Sequence, residues 1–270
     1  MHDDHVTCEV HDHVAILTFD RPDKLNAITF AMRDRFVALL AAAADDPGVR
    51  VVVVQGAGAT FTSGVDVSDH VEVQDPAVAT FEGDIAEIMT SAETWARLWS
   101  LPKPVIVKAR GVCAGWGLEI ALFADFVIAS LDCRFLYPSI RNGSGLPDST
   151  MAIYHLGPQW AKRLLLTGDA IDGATAARIG LVLEAVPDDA LDAAVAALAT
   201  RLTALPPDLA AQSKAVVNRA IDLMGRIRLQ DFAARANATA RRSPEAHEWA
   251  RILREEGLQA AIAWRESRRS

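Results

Sequence analysis

The segment from Gly111 to Asp125, GVCAGWGLEIALFAD, constrains the fold of this chain more than any other. Three glycines fall within seven residues and precede an apolar run that carries a single carboxylate, Glu119. The pattern predicts a helix that begins near Gly115 or Trp116. The first N–H groups of a helix have no partner within it, and with the positive end of the helix dipole they can hold an anion or a developing oxyanion.

Glu119 follows Trp116 by three residues, so its side chain projects from the same helix face about one turn away. One short segment can therefore supply both an oxyanion donor and an acid/base group. The alternative interpretation is a glycine turn followed by a core helix that contains a hydrogen-bonded, buried glutamate. This segment alone leaves both interpretations open.

Length and composition predict a globular protein of one large domain or two small ones. The 270 residues are 51% hydrophobic, which is enough for a sizeable core. We expect a cytoplasmic protein, because the sequence has neither an apolar run of about 18 residues nor the pattern of a signal peptide. The net charge of −8 argues against nucleic-acid or anionic-membrane binding. Any phosphorylated ligand must therefore be bound by local cations or backbone amides.

The cysteines and histidines do not predict a metal site. The three cysteines are too few and too widely spaced for a disulfide framework or a CxxC motif, and we expect buried thiols at Cys8, Cys113 and Cys133. Four histidines lie in the N-terminal segment or beside a predicted turn: His2, His5, His11 and His13. Such positions do not give metal ligands a fixed geometry, so we predict no metal ligands.

The order of the predicted elements is that of an α/β fold built from βαβ units. Strands are predicted at 6–10, 14–19, 51–54, 105–107, 126–129 and 134–137, the first two as a β-hairpin. Helices are predicted at 29–44 and 76–100, and then, without further strands, at 189–203, 207–222, 226–240 and 244–266. We therefore divide the chain into a core, residues 1–188, and a helical region, residues 189–270, that packs on the core or on neighbouring subunits.

Three short motifs, in this order along the chain, resemble the crotonase superfamily of enoyl-CoA hydratases and isomerases. They are RPDKLNA at 21–27, SGVD at 63–66 and AGWGLE at 114–119. The likeness continues through Arg134-Phe135, Pro138, LLLTG at 164–168, GLV at 180–182 and Glu256-Gly257. Each motif alone is weak, but the ordered set is specific.

The resemblance implies a crotonase-like spiral of ββα turns, of the βαβ type, with a C-terminal helical trimerisation region. It implies a homotrimer or a dimer of trimers. It also implies an acyl-coenzyme A thioester as the substrate, with no further cofactor.

By the same resemblance, the backbone N–H groups of Val65 and Trp116 match the two donors of the family's oxyanion hole. These donors stabilise negative charge on the thioester oxygen, and the loss of one typically raises the barrier by about 3 to 4 kcal/mol. The family usually has glycine where this chain has Trp116. The effect of the indole on the acyl pocket stays open.

Seven residues match the family's coenzyme A loop and its neighbouring contacts: Lys24, Leu25, Asn26, Ala27, Ser63, Asp66 and Val67. Arg21 and Lys24 could meet phosphates. Arg265 corresponds roughly to a basic position that reaches coenzyme A, with a plain surface charge as the alternative.

Hydration of a 2-enoyl thioester needs a water activated toward Cβ and a proton delivered to Cα, and two glutamates share this work in the hydratases. Glu119 matches the first glutamate. The second falls at Ser139, whose hydroxyl is too weak to act as a general acid. Asp148, nine residues later, lies near the position of an aspartate in related double-bond isomerases, and we predict that it substitutes. Alternatively, Asp148 or Ser149 caps the helix that follows.

The sequence thus predicts an enoyl-CoA hydratase/isomerase-family enzyme with Glu119 as its main acid/base. Two alternatives stay open. One is an acyl-CoA hydrolase or a carbon–carbon bond-cleaving homologue. The other is a non-catalytic acyl-CoA-binding protein, which Trp116 would favour if its indole filled the pocket beside the thioester.

Overall fold

The computed structural model describes residues 5–70, 79–142 and 145–268 of the chain. Its strands are β1 Val6–His11, β2 Val14–Phe19, β3 Val51–Gly56, β4 Val105–Ala109, β5 Val112–Ala114, β6 Phe126–Ser130, β7 Arg134–Leu136, β8 Ile171–Asp172 and β9 Glu184–Val186. Its helices are α1 Phe30–Asp45, α2 Val67–His70, α3 Phe81–Ser100, α4 Trp116–Phe123, α5 Ser139–Asn142, α6 Met151–Thr167, α7 Gly173–Ile179, α8 Leu191–Thr203, α9 Pro207–Leu223, α10 Arg226–Ala240, α11 Pro244–Glu255 and α12 Leu258–Ser267.

The strands form two sheets. The larger has the order β1-β2-β3-β4-β6-β9, in which β1 is antiparallel to β2 and the other pairs are parallel. The smaller has the order β5-β7-β8. The predicted hairpin β1–β2 is confirmed, and its turn residues Asp12 and His13 have φ of 47° and 68°, as a two-residue type I′ turn requires.

The central strand β3 explains the continuous valine run in the sequence. Val52 and Val54 face the main core, whereas Val51 and Val53 face a second apolar cluster that includes Leu191 and other residues of α8. Both faces of the sheet are therefore covered, as is usual for parallel sheets. Burial on both faces removes the alternation that a half-exposed strand would show.

The sequence predicted the longer elements well and some boundaries poorly. Helix α3 begins at Phe81, with Thr80 as its N-cap, rather than at residue 76; residues 71–78 lie outside the described part of the chain. The short strands β5, β8 and β9 were not predicted. In the described parts of the chain, no helix is both long and apolar enough to cross a bilayer.

The helices after residue 189 pack on the rest of the molecule. Helix α10 lies against α3, and α8 lies against the large sheet. On α9, the Lys214 ammonium forms a buried ion pair with Asp125, at 2.7 Å, and also donates to the main-chain oxygens of Leu98 and Lys103. The division of the chain at residue 188 stays a prediction.

Candidate active site

The two glycine-rich loops meet at Gly64 and Gly115. Gly64 has φ of +98°, and a Cβ placed on it would lie 2.7 Å from the Ala114 main-chain oxygen. Gly115 has φ of 52° and is the N-cap of α4, which begins at Trp116 as the sequence predicts. Only glycine accepts such close approach and positive φ without strain, and so the two loops touch.

The Val65 N–H group lies on the edge of the first loop that faces away from Ile28. Ile28 donates its N–H to the Gly64 oxygen at 2.7 Å, and Asp66 donates to the Ile28 oxygen at 2.8 Å. In this parallel pairing the backbone groups of Val65 point away from Ile28, because consecutive residues face opposite edges of a strand. Trp116 is the first residue of α4, within the turn whose N–H groups a helix does not engage internally. The predicted oxyanion donors therefore come from adjoining loops.

Glu119 is fully buried and held by neutral hydrogen-bond donors. The Tyr137 hydroxyl donates to Oε1 at 3.1 Å, and the Ser149 N–H donates to the same oxygen at 3.2 Å. The Ser149 hydroxyl donates to Oε2. Burial, and next the charge of Asp148, raise the pKa of Glu119 from 4.5 to about 7, although the donated hydrogen bonds oppose this rise. A carboxyl group with this pKa can accept or donate a proton near neutral pH.

Asp148 is also buried, but charged and polar groups surround it. Its Oδ2 accepts from the Ser91 hydroxyl at 2.7 Å and from the Trp116 indole N–H at 3.1 Å. The Arg241 guanidinium lies 3.8 Å from Oδ1. Burial raises the pKa of this carboxyl, and Glu87 adds to the rise, while Arg241, Ser91 and Trp116 oppose it.

The alternative that Asp148 caps the following helix is wrong. Thr150 is the N-cap of α6, and the Asp148 carboxylate is held by groups on α3, α4 and α10 instead. Ser149 approaches a capping role more closely, since its Oγ accepts from the Met151 N–H at 3.4 Å, but it also donates to Glu119.

The two carboxylates are brought close enough to perturb each other electrostatically. The Tyr137 hydroxyl joins the Glu119 carboxylate to the backbone of Asp148, because it donates to Glu119 and accepts from the Asp148 N–H at 3.3 Å. Ser139, the first residue of α5, does not take part in this arrangement: its Oγ is buried and has no hydrogen-bond partner among the described residues.

The structure defines the position of the Trp116 indole, which the sequence left undetermined. The ring makes edge contacts with Phe30 on α1 and Trp95 on α3, at centroid distances of 5.9 and 5.4 Å. Its N–H is directed at Asp148. The indole therefore forms an aromatic wall beside the second carboxylate and helps to orient it.

Most of the predicted coenzyme A residues lie on two adjoining loops. Lys24 and Leu25 are exposed, and Ser63 donates its N–H to the Leu25 oxygen at 2.9 Å. Asp66 pairs with Arg21 at 2.6 Å, so this arginine already has an anionic partner. Ala27 is half-buried, and Val67 begins α2.

Asn26, which the resemblance places in the family's coenzyme A loop, holds these two loops together. Its fully buried amide donates to the main-chain oxygens of Ala57, Thr60 and Phe61, and its oxygen accepts from the Arg21 N–H. The resemblance covered this residue as part of the RPDKLNA motif, and its role is structural.

Arg265 is not part of this loop pair. It lies on α12 and lines a cavity of about 410 Å³ together with Arg141, Trp264 and Arg268. Its guanidinium is 3.2 Å from Glu266. The predicted coenzyme A contact of Arg265 stays a prediction.

In the part of the chain that the structure describes, no histidine or cysteine bonds to the Glu119 or Asp148 carboxylate. His5 and His13 bond to the main-chain oxygens of Asp20 and Gly48, and His2 lies outside the described residues. Among the described residues, no group of three potential ligands is placed to hold a metal ion. Cys113 and Cys133 are buried as predicted, whereas Cys8, on the edge strand β1, is only half-buried.

Comparison with known proteins adds independent evidence. A family model described as enoyl-CoA hydratase/isomerase matches residues 9–259. The chain belongs to the enoyl-CoA hydratase/isomerase family. It is 35% identical to a probable enoyl-CoA hydratase of Mycobacterium tuberculosis over 220 residues, covering 79% of this chain and 81% of that protein. It is 33% identical to the (E)-benzylidenesuccinyl-CoA hydratase of Thauera aromatica over 206 residues, covering 75% and 77%.

Solved structures of this family share the fold. An enoyl-CoA hydratase/isomerase from Xanthobacter autotrophicus superposes with a TM-score of 0.91 at 32% identity and covers 98% of each chain. An enoyl-CoA hydratase from Mycobacterium smegmatis gives a TM-score of 0.90 at 34% identity, covering 98% of this chain and 94% of that one. The predicted crotonase-like α/β fold, with helices at its C-terminal end, is confirmed.

Within this family fold, four side chains that support the carboxylates were not predicted as site residues. They are Ser91, Tyr137, Ser149 and Arg241. Tyr137 lies in the matched stretch before Ser139 and could have been noticed there. Ser91 lies on α3 and Arg241 directly follows α10, and only the packing of these helices brings them to Asp148.

The raised pKa of Glu119 predicts a pH-dependent stability. Between its unfolded value of 4.5 and its native value of about 7, the native state keeps a proton that the unfolded chain loses. The free energy of unfolding therefore falls as pH rises through this window, by at most about 3 kcal/mol for this group. We expect Glu119→Gln to gain stability relative to the wild type between pH 5 and pH 8, as measured by urea unfolding. The same difference at both pH values would contradict this assignment.

Proposed function

We propose that the chain is an enoyl-CoA hydratase-like lyase that adds water across the 2,3 double bond of an acyl-CoA thioester. One observation carries the proposal: two buried carboxylates, Glu119 and Asp148, interact electrostatically near the junction of the two glycine loops, and Tyr137 joins Glu119 to the backbone of Asp148. Family membership supports an acyl-CoA substrate.

In this proposal the N–H groups of Val65 and Trp116 bind the thioester oxygen. Charge moves onto that oxygen as the water oxygen bonds to Cβ, and preorganised donors stabilise the resulting enolate. One carboxylate takes a proton from the attacking water, and the other delivers a proton to Cα. The product is a 3-hydroxyacyl thioester, and no resident cofactor is required.

We propose that coenzyme A is bound by the residues of the two adjoining loops. Lys24 and Leu25 are exposed there, and four half-buried residues lie beside them: Ala27, Ser63, Asp66 and Val67. Assembly into a trimer, or a dimer of trimers, is supported by exposed apolar side chains on α9 and α10. These are Leu209, Val216, Val217, Leu223, Ile227 and Phe232.

A double-bond isomerase is the second candidate, because Ser139 replaces the second glutamate and an aspartate is used instead. Isomerisation moves a proton between Cα and Cγ and needs no water. Thioester hydrolysis, carbon–carbon cleavage and binding without catalysis stay as further alternatives, although binding alone does not require a buried acid with a pKa of about 7.

The test is the ultraviolet absorbance of the conjugated thioester in the presence of the protein. The panel contains crotonyl-CoA, longer and aromatic 2-enoyl-CoAs and a 3-enoyl-CoA. Hydration lowers the absorbance of the 2-enoyl esters, isomerisation raises that of the 3-enoyl ester, and hydrolysis releases a free thiol. Saturable binding without any of these changes would contradict an enzymatic role on these substrates.

Gly64→Ala tests the oxyanion hole without altering a carboxylate. The added Cβ would lie 2.7 Å from the Ala114 oxygen, at a φ of +98°, and must separate the loops that carry both donors. We expect turnover to fall about 100-fold, since displacing one donor has an effect of this order. Gly225→Ala is the matched control: it has a similar φ, +105°, but nothing lies within 4 Å of its Cβ. Equal losses in both variants would assign the effect to backbone strain.

A further inference from the structure

Arg241 brings a cation from the C-terminal helical region to the site. It follows α10 as its C-cap residue, and α10 packs against α3. Its side chain is only 10% exposed. The guanidinium contacts Glu87 and lies 3.8 Å from Asp148 and 3.9 Å from Asp84. A cation buried this deeply is expected to contact anions that stay ionised, because an unpaired buried charge is costly.

The two carboxylates therefore have different surroundings. Asp148 faces a guanidinium and accepts hydrogen bonds from Ser91 and Trp116. Among the described residues, Glu119 accepts hydrogen bonds from neutral groups alone: the Tyr137 hydroxyl and the hydroxyl and N–H of Ser149. Of two neighbouring acids, the one beside a cation ionises first, and its charge then favours the protonated form of the other.

We propose that Arg241 is a positioning residue that keeps Asp148 ionised, so that Asp148 is the base and Glu119 the acid. This assignment rests on the proposed hydration. The Asp148 carboxylate takes a proton from water as the water oxygen bonds to Cβ, and protonated Glu119 gives its proton to Cα. The cycle closes when Asp148 releases a proton to solvent and Glu119 takes one up.

The charged groups around Asp148 act in opposite directions. Arg241 favours its ionised form, whereas Glu87 on α3 disfavours that form. The charge of Asp148 in turn disfavours ionisation of Glu119 on α4, and Asp84 on α3 lies 3.9 Å from Arg241. Arg242 pairs with Asp84, at 2.9 Å. Removing Arg241 should therefore make Asp148 harder to ionise, and removing Glu87 should make it easier.

The experiment is the pH dependence of kcat/KM for hydration of the best enoyl-CoA in the panel. A base must be ionised, so we expect Arg241→Gln to move the acidic limb of the profile up by about one pH unit. Glu87→Gln should move it down, and Arg241→Lys should restore most of the wild-type position. KM for the CoA ester should change much less than kcat.

Arg242→Gln is the matched control, since this neighbouring residue, within the part of the chain that the structure describes, pairs with Asp84 and not with Asp148. Its profile should keep the wild-type acidic limb even if its stability falls. If Arg241→Gln and Glu87→Gln also keep the wild-type limb while their rates fall equally at every pH, Arg241 has a structural role only and the proposal is wrong.

An infrared measurement tests the protonation states separately from the reaction. We expect the protonated-carboxyl band of the wild type near pH 6 to disappear in Glu119→Gln, because Asp148 is ionised. A band that persists in Glu119→Gln but disappears in the Glu119→Gln/Asp148→Asn double variant would overturn the proposal. This result does not depend on turnover, so it distinguishes a wrong role for Arg241 from a wrong assignment of the reaction.

Discussion

Replacing Glu119 by glutamine is expected to lower kcat by about 10²- to 10⁴-fold, the usual contribution of a positioned acid or base. Glutamine has nearly the same shape, and its amide oxygen can accept from Tyr137 and Ser149 as the carboxylate does. Because the backbone N–H groups of Val65 and Trp116 are untouched, affinity for a saturated acyl-CoA should stay within a few-fold. Initial rates from thioester absorbance and calorimetric titration with butyryl-CoA measure the two quantities.

Glu93→Gln is the matched control for this substitution. Glu93 is exposed on α3, and the change there has the same chemistry at a surface position. It should leave both kcat and affinity near the wild-type values. Wild-type turnover in Glu119→Gln would remove Glu119 from the reaction, whereas loss of acyl-CoA binding would assign it to the shape of the pocket instead.

The sequence predicts best what depends on neighbouring residues. The valine run of β3 indicated burial on both faces. In the structure, Val52 and Val54 pack in the main core, and Val51 and Val53 pack in the second apolar cluster. The start of α4 at Trp116 followed from the glycines before it. In each case the pattern is local, so composition and spacing are enough.

The surroundings of Asp148 depend on contacts between distant parts of the chain. The sequence around Asp148 fits a helix cap as well as an active-site carboxylate, because both need a short acidic residue before an apolar run. Contacts with Ser91 and Arg241 distinguish the active-site carboxylate from the helix cap. These residues reach Asp148 only because α3 and α10 pack together. No pattern local to Asp148 contains that information.

The Trp116 indole and the short strands illustrate two other limits. The direction of the indole depends on Phe30 and Trp95, which belong to two other helices. Strands β5, β8 and β9 contain three, two and three residues, too few to show a period. Pairing with neighbouring strands, rather than their own composition, makes these segments strands.

Replacing Asp148 by asparagine is expected to abolish hydration to a similar degree, although Ser139 occupies the position of the family's second glutamate. Asparagine can still accept hydrogen bonds from Ser91 and Trp116, so the pocket should keep its shape and acyl-CoA affinity should survive. It cannot take a proton from water near neutral pH. Rates from thioester absorbance and calorimetric titration again separate catalysis from binding.

Two further measurements test whether the second catalytic carboxylate lies at position 148 rather than at position 139. Ser139→Ala removes a buried hydroxyl that has no hydrogen-bond partner among the described residues, and we expect it to change kcat by no more than a few-fold.

The Asp148→Asn substitution also removes the negative charge that helps to raise the pKa of Glu119, so the pKa of Glu119 should fall below about 7. The decrease in stability between pH 5 and pH 8 should then become smaller than in the wild type. If Ser139→Ala abolishes turnover and Asp148→Asn does not, the second catalytic group lies at position 139, and Asp148 serves only to hold α3, α4 and α10 together.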